Sequence, residues 1–399
     1  MSSSRLTIVF AAAGHAVMHI LTGLFLVIVL TLESVWAASY DTLIQLWTLG
    51  AFLVGAGAPL AGWLSDRFGE TRVMIVFFLG SGLSTVYAGL VDDTPSLFWA
   101  LGFLGLFAAI YHPVGTAWIV KNAIGRGRVM GIVGLSGSIG FAAAAVIAGG
   151  LVALSGWRSA FLIPGLVSVA IGLVLAWLYA SGRIVDREHD LAPAPEDDRS
   201  DIVRAFVILT IALLLGSLYY AAFITVLPKW LSDGFEGVID GGVATIGGLV
   251  TVIYLVGATA QIGGGWLADR YSPKWIYVAA FAIKLPVTLL AVAVGGWAML
   301  PVAMAMAFTM DLAAPAENVL LARYSPSRRR GLVYGLKYVA SFAAFPLGIE
   351  MVALSYRWSG AWDALYLALA ALALAMLLAA LFLPAERPRP LAATAPAGS

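Results

Sequence analysis

Cysteine is absent from the 399 residues, which excludes disulfides, thiolate metal sites and a thiol nucleophile. Charge is scarce. Asp, Glu, Lys and Arg make up 11% of the chain against 61% hydrophobic residues, too little to cover a soluble fold of this length. The net charge of +1 leaves no footprint for nucleic acid as a partner. No Ser-His-Asp context, phosphate loop or ATP-binding motif is present, so the chain does not read as an enzyme. Energy then has to come from an ion gradient, protons first, or from a solute's own gradient. No cofactor and no metal site is expected.

What is present is apolar length. Runs of about 20 residues, enough to span a bilayer, fall near 6–32, 42–64, 73–91, 96–119, 129–153 and 159–181. A second set falls near 203–229, 241–267, 275–294, 297–321, 332–354 and 362–383. The 43 glycines and 17 prolines suit membrane helices, where both are commoner than in soluble ones. The start, MSSSRLTIVF, leads into the first run without a cleavage site, so it reads as a spanning helix rather than a signal peptide. The expected organisation is a six-helix half (1–182), a polar linker (183–202), a second six-helix half (203–384) and a disordered tail (385–399). Eighteen loop Lys and Arg lie on the N-terminal side and three, Arg158, Lys229 and Arg357, on the other. The positive-inside rule therefore places both termini in the cytoplasm.

The two sets are copies. Gly62-Trp-Leu-Ser-Asp66-Arg67-Phe-Gly69 recurs 203 residues later as Gly265-Trp-Leu-Ala-Asp269-Arg270-Tyr-Ser272. Arg126-Gly-Arg-Val-Met-Gly131 aligns with Arg330-Gly-Leu-Val-Tyr-Gly335 at 204, Trp157 with Trp362 at 205, and Pro113 with Pro315 at 202. Such a duplication puts a cavity on the axis between the halves, near the bilayer midplane.

The octet resembles the signature loop between helices 2 and 3 of the major facilitator superfamily. Gly62, Leu64, Asp66, Arg67, Gly69 and Arg72 match it, while Glu70 stands where a basic residue is usual. The resemblance covers the whole chain and implies an all-α membrane fold of twelve helices in two pseudo-symmetric halves. It also implies that the Asp66, Arg67, Arg126, Asp269 and Arg270 loops latch the halves in the outward-open state. The plain alternative is a capped turn, with Gly62 allowing close helix approach and Asp66 capping the start of helix 3.

Helix 5 carries Gly131, Gly134, Gly137 and Gly140, a spacing that lets helix backbones touch. The family's antiporter motif on this helix contains a Gly-Pro step, which this chain lacks. Gly14-His15-x-x-Met18-His19 and Tyr111-His112-Pro113 resemble the fosmidomycin-resistance exporter branch, with His19 and Val114 where that branch has carboxylates.

Ionisable groups inside spanning helices are costly and functional by default. His15 and His19, spaced i, i+4, share a helix face. Imidazole exchanges protons near neutral pH, so the pair is a candidate for solute or proton handling, against a structural role bonding neighbouring carbonyls. His112 precedes Pro113, which removes a helix hydrogen bond and frees the Ala109 carbonyl, or simply makes a gating kink. Asp311 is the best candidate for a protonation switch. Lys284 can neutralise it, although the family's helix 9 is peripheral, which favours a structural lysine. Glu317 is expected to pair with Lys337. Tyr219, Tyr220, Tyr254, Gln261, Asn318, Tyr334 and Tyr338 are candidate polar anchors or ordinary packing. Met306 and Met310, with Met18 and the histidines, raise a copper reading, against methionine as apolar filler.

The expectation is a monomeric secondary transporter of a small organic solute in a bacterial inner membrane, its partners being the lipid bilayer and the solute. Proton coupling through His15, His19 and Asp311 accompanies rocking of the halves. Export is favoured by the branch resemblance. The alternatives are an uptake permease for a small anionic metabolite, a copper importer using Met and His ligands, and a non-transporting sensor.

Overall fold

The computed structural model describes residues 2–122, 126–186, 199–237, 242–324 and 339–384. Among the described residues, eleven helices are long and apolar enough to span and one bent helix pair makes a twelfth span. In the first half they are α1 (Ser3–Val35), α2 (Tyr40–Ala56 and Ala58–Phe68, bent by 46°), α3 (Glu70–Ala88), α4 (Thr94–Ile119), α5 (Arg126–Ser155) and α6 (Trp157–Ala180). The second half holds α7 (Arg199–Gly234), α8 (Gly242–Arg270), α9 (Pro273–Leu290), α10 (Met299–Arg323), α11 (Val339–Ser359) and α12 (Asp363–Leu381). No strand occurs among the described residues. Helices are the form these runs must take, because lipid satisfies no backbone polar group. Helix α7 begins at Arg199, so the last residues of the expected linker are already helical. The tail and residues 187–198 lie outside the described residues.

Outward faces carry large exposed apolar side chains, such as Trp99 at 57% and Leu173 at 58%, as a lipid-facing surface does. The bend of α2 falls at Gly57, with Pro59 in the first turn of the second segment, where its missing N–H costs nothing. Helix α4 contains a single π-helical turn at Tyr111–Gly115, around the expected kink at Pro113.

The halves meet along α5 and α8. A Cβ on Gly149 would lie 2.6 Å from the Val243 carbonyl oxygen, and Gly247 sits against the Ala145 carbonyl. Only glycine permits backbones that close. Deeper in, the Thr251 hydroxyl lies 2.7 Å from the Ala142 carbonyl oxygen and accepts from the Val146 N–H at 3.1 Å. These are the two groups that an α-helical hydrogen bond joins, so a side chain of one half engages the backbone ladder of the other.

Candidate substrate cavity

A cavity of about 330 Å³ lies between the halves, a volume suited to a small organic solute. Helices α1, α2, α4 and α5 supply Met18, His19, Thr22, Trp47, His112 and Phe141; α7, α9, α10 and α11 supply Tyr220, Lys284, Asp311, Glu317, Phe342 and Phe345. A recess of about 240 Å³ adjoins it, sharing His19, Phe141, Tyr220, Met310 and Asp311, and adding His15, Tyr254 and Gln261.

The wall of the first half is built from three imidazoles. His15 and His19 project from one face of α1, with ring centroids 4.9 Å apart. His112 reaches the same place from the π turn of α4, 5.5 Å from His15 and 5.7 Å from His19. The Tyr111 ring stacks on His15 at 4.8 Å, and its hydroxyl donates to the Ala11 carbonyl at 2.7 Å, holding α1 to α4. His15 Nδ1 lies 2.7 Å from the Val133 carbonyl oxygen of α5, so Nδ1 carries the proton. Gly137 makes room for this ring, since any Cβ there would collide with the imidazole.

The wall of the second half carries the charge. Asp311 accepts from Gln261 Nε2 at 3.3 Å, and the same amide reaches Ser138 Oγ of α5 at 3.2 Å. Gln261 therefore ties the Asp311 carboxylate to the opposite half. Glu317 accepts from the Tyr277 hydroxyl at 2.9 Å. Its expected partner, Lys337, lies outside the described residues, as do Tyr334 and Tyr338. The cation that does line the cavity is Lys284. Its ammonium lies over the rings of Tyr219, 4.7 Å from the centroid, and Phe281, at 5.3 Å. Helix periodicity gave no reason to turn Lys284 inward, and family precedent put α9 at the periphery; in the structure Lys284 and Phe281 of α9 both line the cavity.

Several expected anchors stand elsewhere. Tyr219 is fully buried with its hydroxyl 2.6 Å from Thr288 Oγ1, so it supports Lys284 from behind. Asn318 is exposed and lines neither cavity. Met310 and Met18 line the cavity, but Met306 is buried in the core. Of the helix 5 glycines, Gly137 and Gly140 pack on α1, whereas a Cβ on Gly131 or Gly134 would meet nothing within 4 Å. Pro315 packs beside Gly264, where α10 approaches α8.

The signature loop differs in detail from its expected role. Gly62 faces open space, so close approach is not its contribution here. Asp66 lies within the last turn of α2 and does not cap α3. That task falls to Asp186, whose carboxylate accepts from the Thr71 N–H and hydroxyl. Gly69 has φ +87°, and a Cβ on it would strike the Asp186 carboxylate, so both conformation and space require glycine. Glu70 is buried and paired with Lys121 at the end of α4. Arg67 stacks near its own Trp63 and Phe68, Arg270 lies over Trp266 at 4.2 Å, and Asp269 is exposed, as are Asp66, Arg67 and Arg270. Gly265 borders open space, and the side chain of Arg126 lies outside the description.

The two membrane faces are unlike. On the face remote from the N-terminus, Lys229 of α7 donates to Glu33 of α1 at 2.9 Å and lies 3.3 Å from Asp233. Arg357 pairs with Asp41 at 3.1 Å, Gln45 donates to Glu350 at 2.8 Å, and the Tyr40 hydroxyl donates to the Thr225 carbonyl at 2.9 Å. Apart from the Lys229–Asp233 pair, which lies within α7, each of these contacts joins one half to the other. On the N-terminal face no ion pair joins the halves among the described residues. The sequence held no signal for these partners beyond the sparse charge near helix ends.

Relatives agree with this architecture. The profile of the Major Facilitator Superfamily matches residues 11–243 and 238–398. A NiaP protein of Bacillus subtilis (strain 168), named for niacin and nicotinamide transport, is 25% identical over 64% of this chain and 64% of its own length. The puromycin resistance protein pur8 of Streptomyces alboniger is 35% identical over 26% of the chain and 22% of its own length. A multidrug resistance protein B homolog of Mycobacterium tuberculosis is 30% identical over 32% and 24%. The chain thus covers less than two thirds of the curated relatives it matches. The crystal structure of a bacterial homolog of the human lysosomal transporter Spinster superposes with a TM-score of 0.73 at 16% identity, covering 96% of this chain and 94% of that one. A profile that matches nearly the whole chain, and a helical fold around a central cavity, make this protein a multi-pass member of the Major Facilitator Superfamily.

Proposed function

We propose that the chain is a proton-coupled secondary transporter for a small anionic or zwitterionic organic solute, working as a monomer in a bacterial inner membrane. The observation that carries this is the convergence of Lys284, Asp311 and Glu317 with His19 and His112 on one cavity between the halves, with His15 on the recess that adjoins it. Ionisable groups at that depth are expensive and face a pathway. Lys284 supplies the cation for a carboxylate or similar group, the aromatic rings of Phe141, Phe342 and Phe345 supply apolar walls, and the imidazoles supply hydrogen bonds. Asp311 is the coupling carboxylate. Its Gln261 bridge to Ser138 spans the halves, so a change in its charge bears directly on their relative position.

The cross-half contacts on the face remote from the N-terminus, taken with the positive-inside bias of the loops, support the reading of an inward-facing state. Export is the direction we propose, supported by the resemblance to the exporter branch. A relative named for nitrate and nitrite transport supports an anionic solute.

The test is reconstitution in liposomes, in metal-free buffer, with solid-supported-membrane currents recorded across organic anions, amino acids and a phosphonate. A solute-dependent current that requires a proton gradient and disappears in Asp311→Asn is expected, and the sign of the gradient that drives it gives the direction. A current indifferent to both pH and Asp311→Asn would overturn the coupling and leave a uniporter.

A further inference from the structure

We infer that His15, His19 and His112 form a binding site for one late first-row divalent cation of the Zn²⁺ class. The three offer ring nitrogens that all lie within 4.8 Å of one another. Nitrogen donors of a tetrahedral ion with bonds of about 2.0 Å stand about 3.3 Å apart, so closure needs a shift of roughly 1.5 Å. Side-chain rotation supplies that shift, because His19 and His112 border the cavity and His15 borders the recess. The i, i+4 spacing of His15 and His19 is the spacing at which two histidines on one helix face bind zinc together. The third donor comes from a different helix, aimed by the π turn of α4.

His15 already has the support such a ligand needs. Its Nδ1–H is donated to the Val133 carbonyl at 2.7 Å, which leaves the Nε2 lone pair for a metal. The donor set also selects the ion. No carboxylate belongs to the group, so oxygen-seeking Mg²⁺ and Ca²⁺ are disfavoured, and imidazole suits Zn²⁺, Cu²⁺, Ni²⁺ and Co²⁺. Three protein nitrogens leave a fourth position, which opens to the cavity, where a solute atom completes the shell. This site stands whether or not Asp311 couples protons, because it uses other side chains.

The experiment titrates the purified full-length chain, carrying a tag without histidine, with Zn²⁺ and with Co²⁺ as a coloured substitute. One ion per chain is expected, with affinity falling at least tenfold in each of His15→Gln, His19→Gln and His112→Gln, and no displacement by excess Mg²⁺. X-ray absorption of the Zn²⁺-loaded wild-type chain is expected to show about three imidazole nitrogens at about 2.0–2.1 Å, which decides the matter even if a variant fails to fold. Absence of stoichiometric binding, binding undiminished in the three variants, or a first shell of sulfur or carboxylate oxygen would each overturn the site. The solute currents in metal-free buffer are a separate readout, so either reading can fail alone.

Discussion

Replacing Lys229 by methionine keeps the length of the side chain and removes its charge. In the wild type its ammonium lies between Glu33 of the opposite half and Asp233 of its own, with 12% of the lysine side chain and 23% of the glutamate exposed. A hydrogen bond to a charged group contributes roughly 1.5–3 kcal/mol in such an enclosed setting, and the two carboxylates left behind repel. Arg357 and Asp41 form the second ion pair across this face, but the arginine is 49% exposed, so its removal costs about 1 kcal/mol at most. Since about 1.4 kcal/mol is tenfold in an equilibrium, Lys229→Met should shift the population toward the state open on this face by about 10- to 100-fold, and Arg357→Met by less than about tenfold. The chain has no cysteine, so spin labels at Leu90→Cys and Trp358→Cys, both well exposed, attach without competing sites. Double electron–electron resonance should show a longer distance component growing in Lys229→Met. An unchanged distance distribution in the Lys229→Met and Arg357→Met double variant would refute the view that these pairs hold the face closed.

Gly140→Ala should lower the unfolding temperature in detergent, by about 1–3 kcal/mol of stability, because its Cβ would lie 2.5 Å from the Ala16 carbonyl oxygen. Gly134→Ala should be neutral or stabilising by up to about 1 kcal/mol, since open space surrounds that position and alanine favours helix. Asp186→Ala removes the cap of α3 and should cost about 1 kcal/mol, read by the same melt. Lys284→Met should weaken binding of anionic solutes at least tenfold in a fluorescence or calorimetric titration while leaving neutral solutes unaffected; equal losses for both would place Lys284 in the scaffold.

The octet at Gly62 and its copy at Gly265 made the twofold plan legible, because a duplicated chain keeps loop residues at a nearly constant offset. Span number was legible for a related reason, since the bilayer imposes length and apolarity on each run independently of its neighbours. Asp311 and His19 were legible as candidates for a cavity because an ionisable group in an apolar run has few other places to go, whereas Tyr220 could equally have been packing. The roles of Asp66 and Gly62 were not. Whether a carboxylate caps a helix depends on which carboxylate the fold brings to its first turn, and here that is Asp186, 115 residues from Thr71. Lys284 was legible as a possible counter-charge to Asp311 but not as a cavity residue, because a single lysine in an apolar helix carries no sign of the direction it faces.

By itself, then, the sequence determined what local chemistry and the solvent enforce. Backbone groups without water must close into helices, scarce charge must sit at helix ends or face a cavity, and basic loops must share a side. The tertiary structure alone decided which distant groups meet. It set His112 beside His15 and His19, stretched Gln261 from Asp311 to Ser138, and locked Lys229 to Glu33 across 196 residues. Those meetings depend on a π turn and on glycines that let backbones touch, and neither has a period that a linear pattern records.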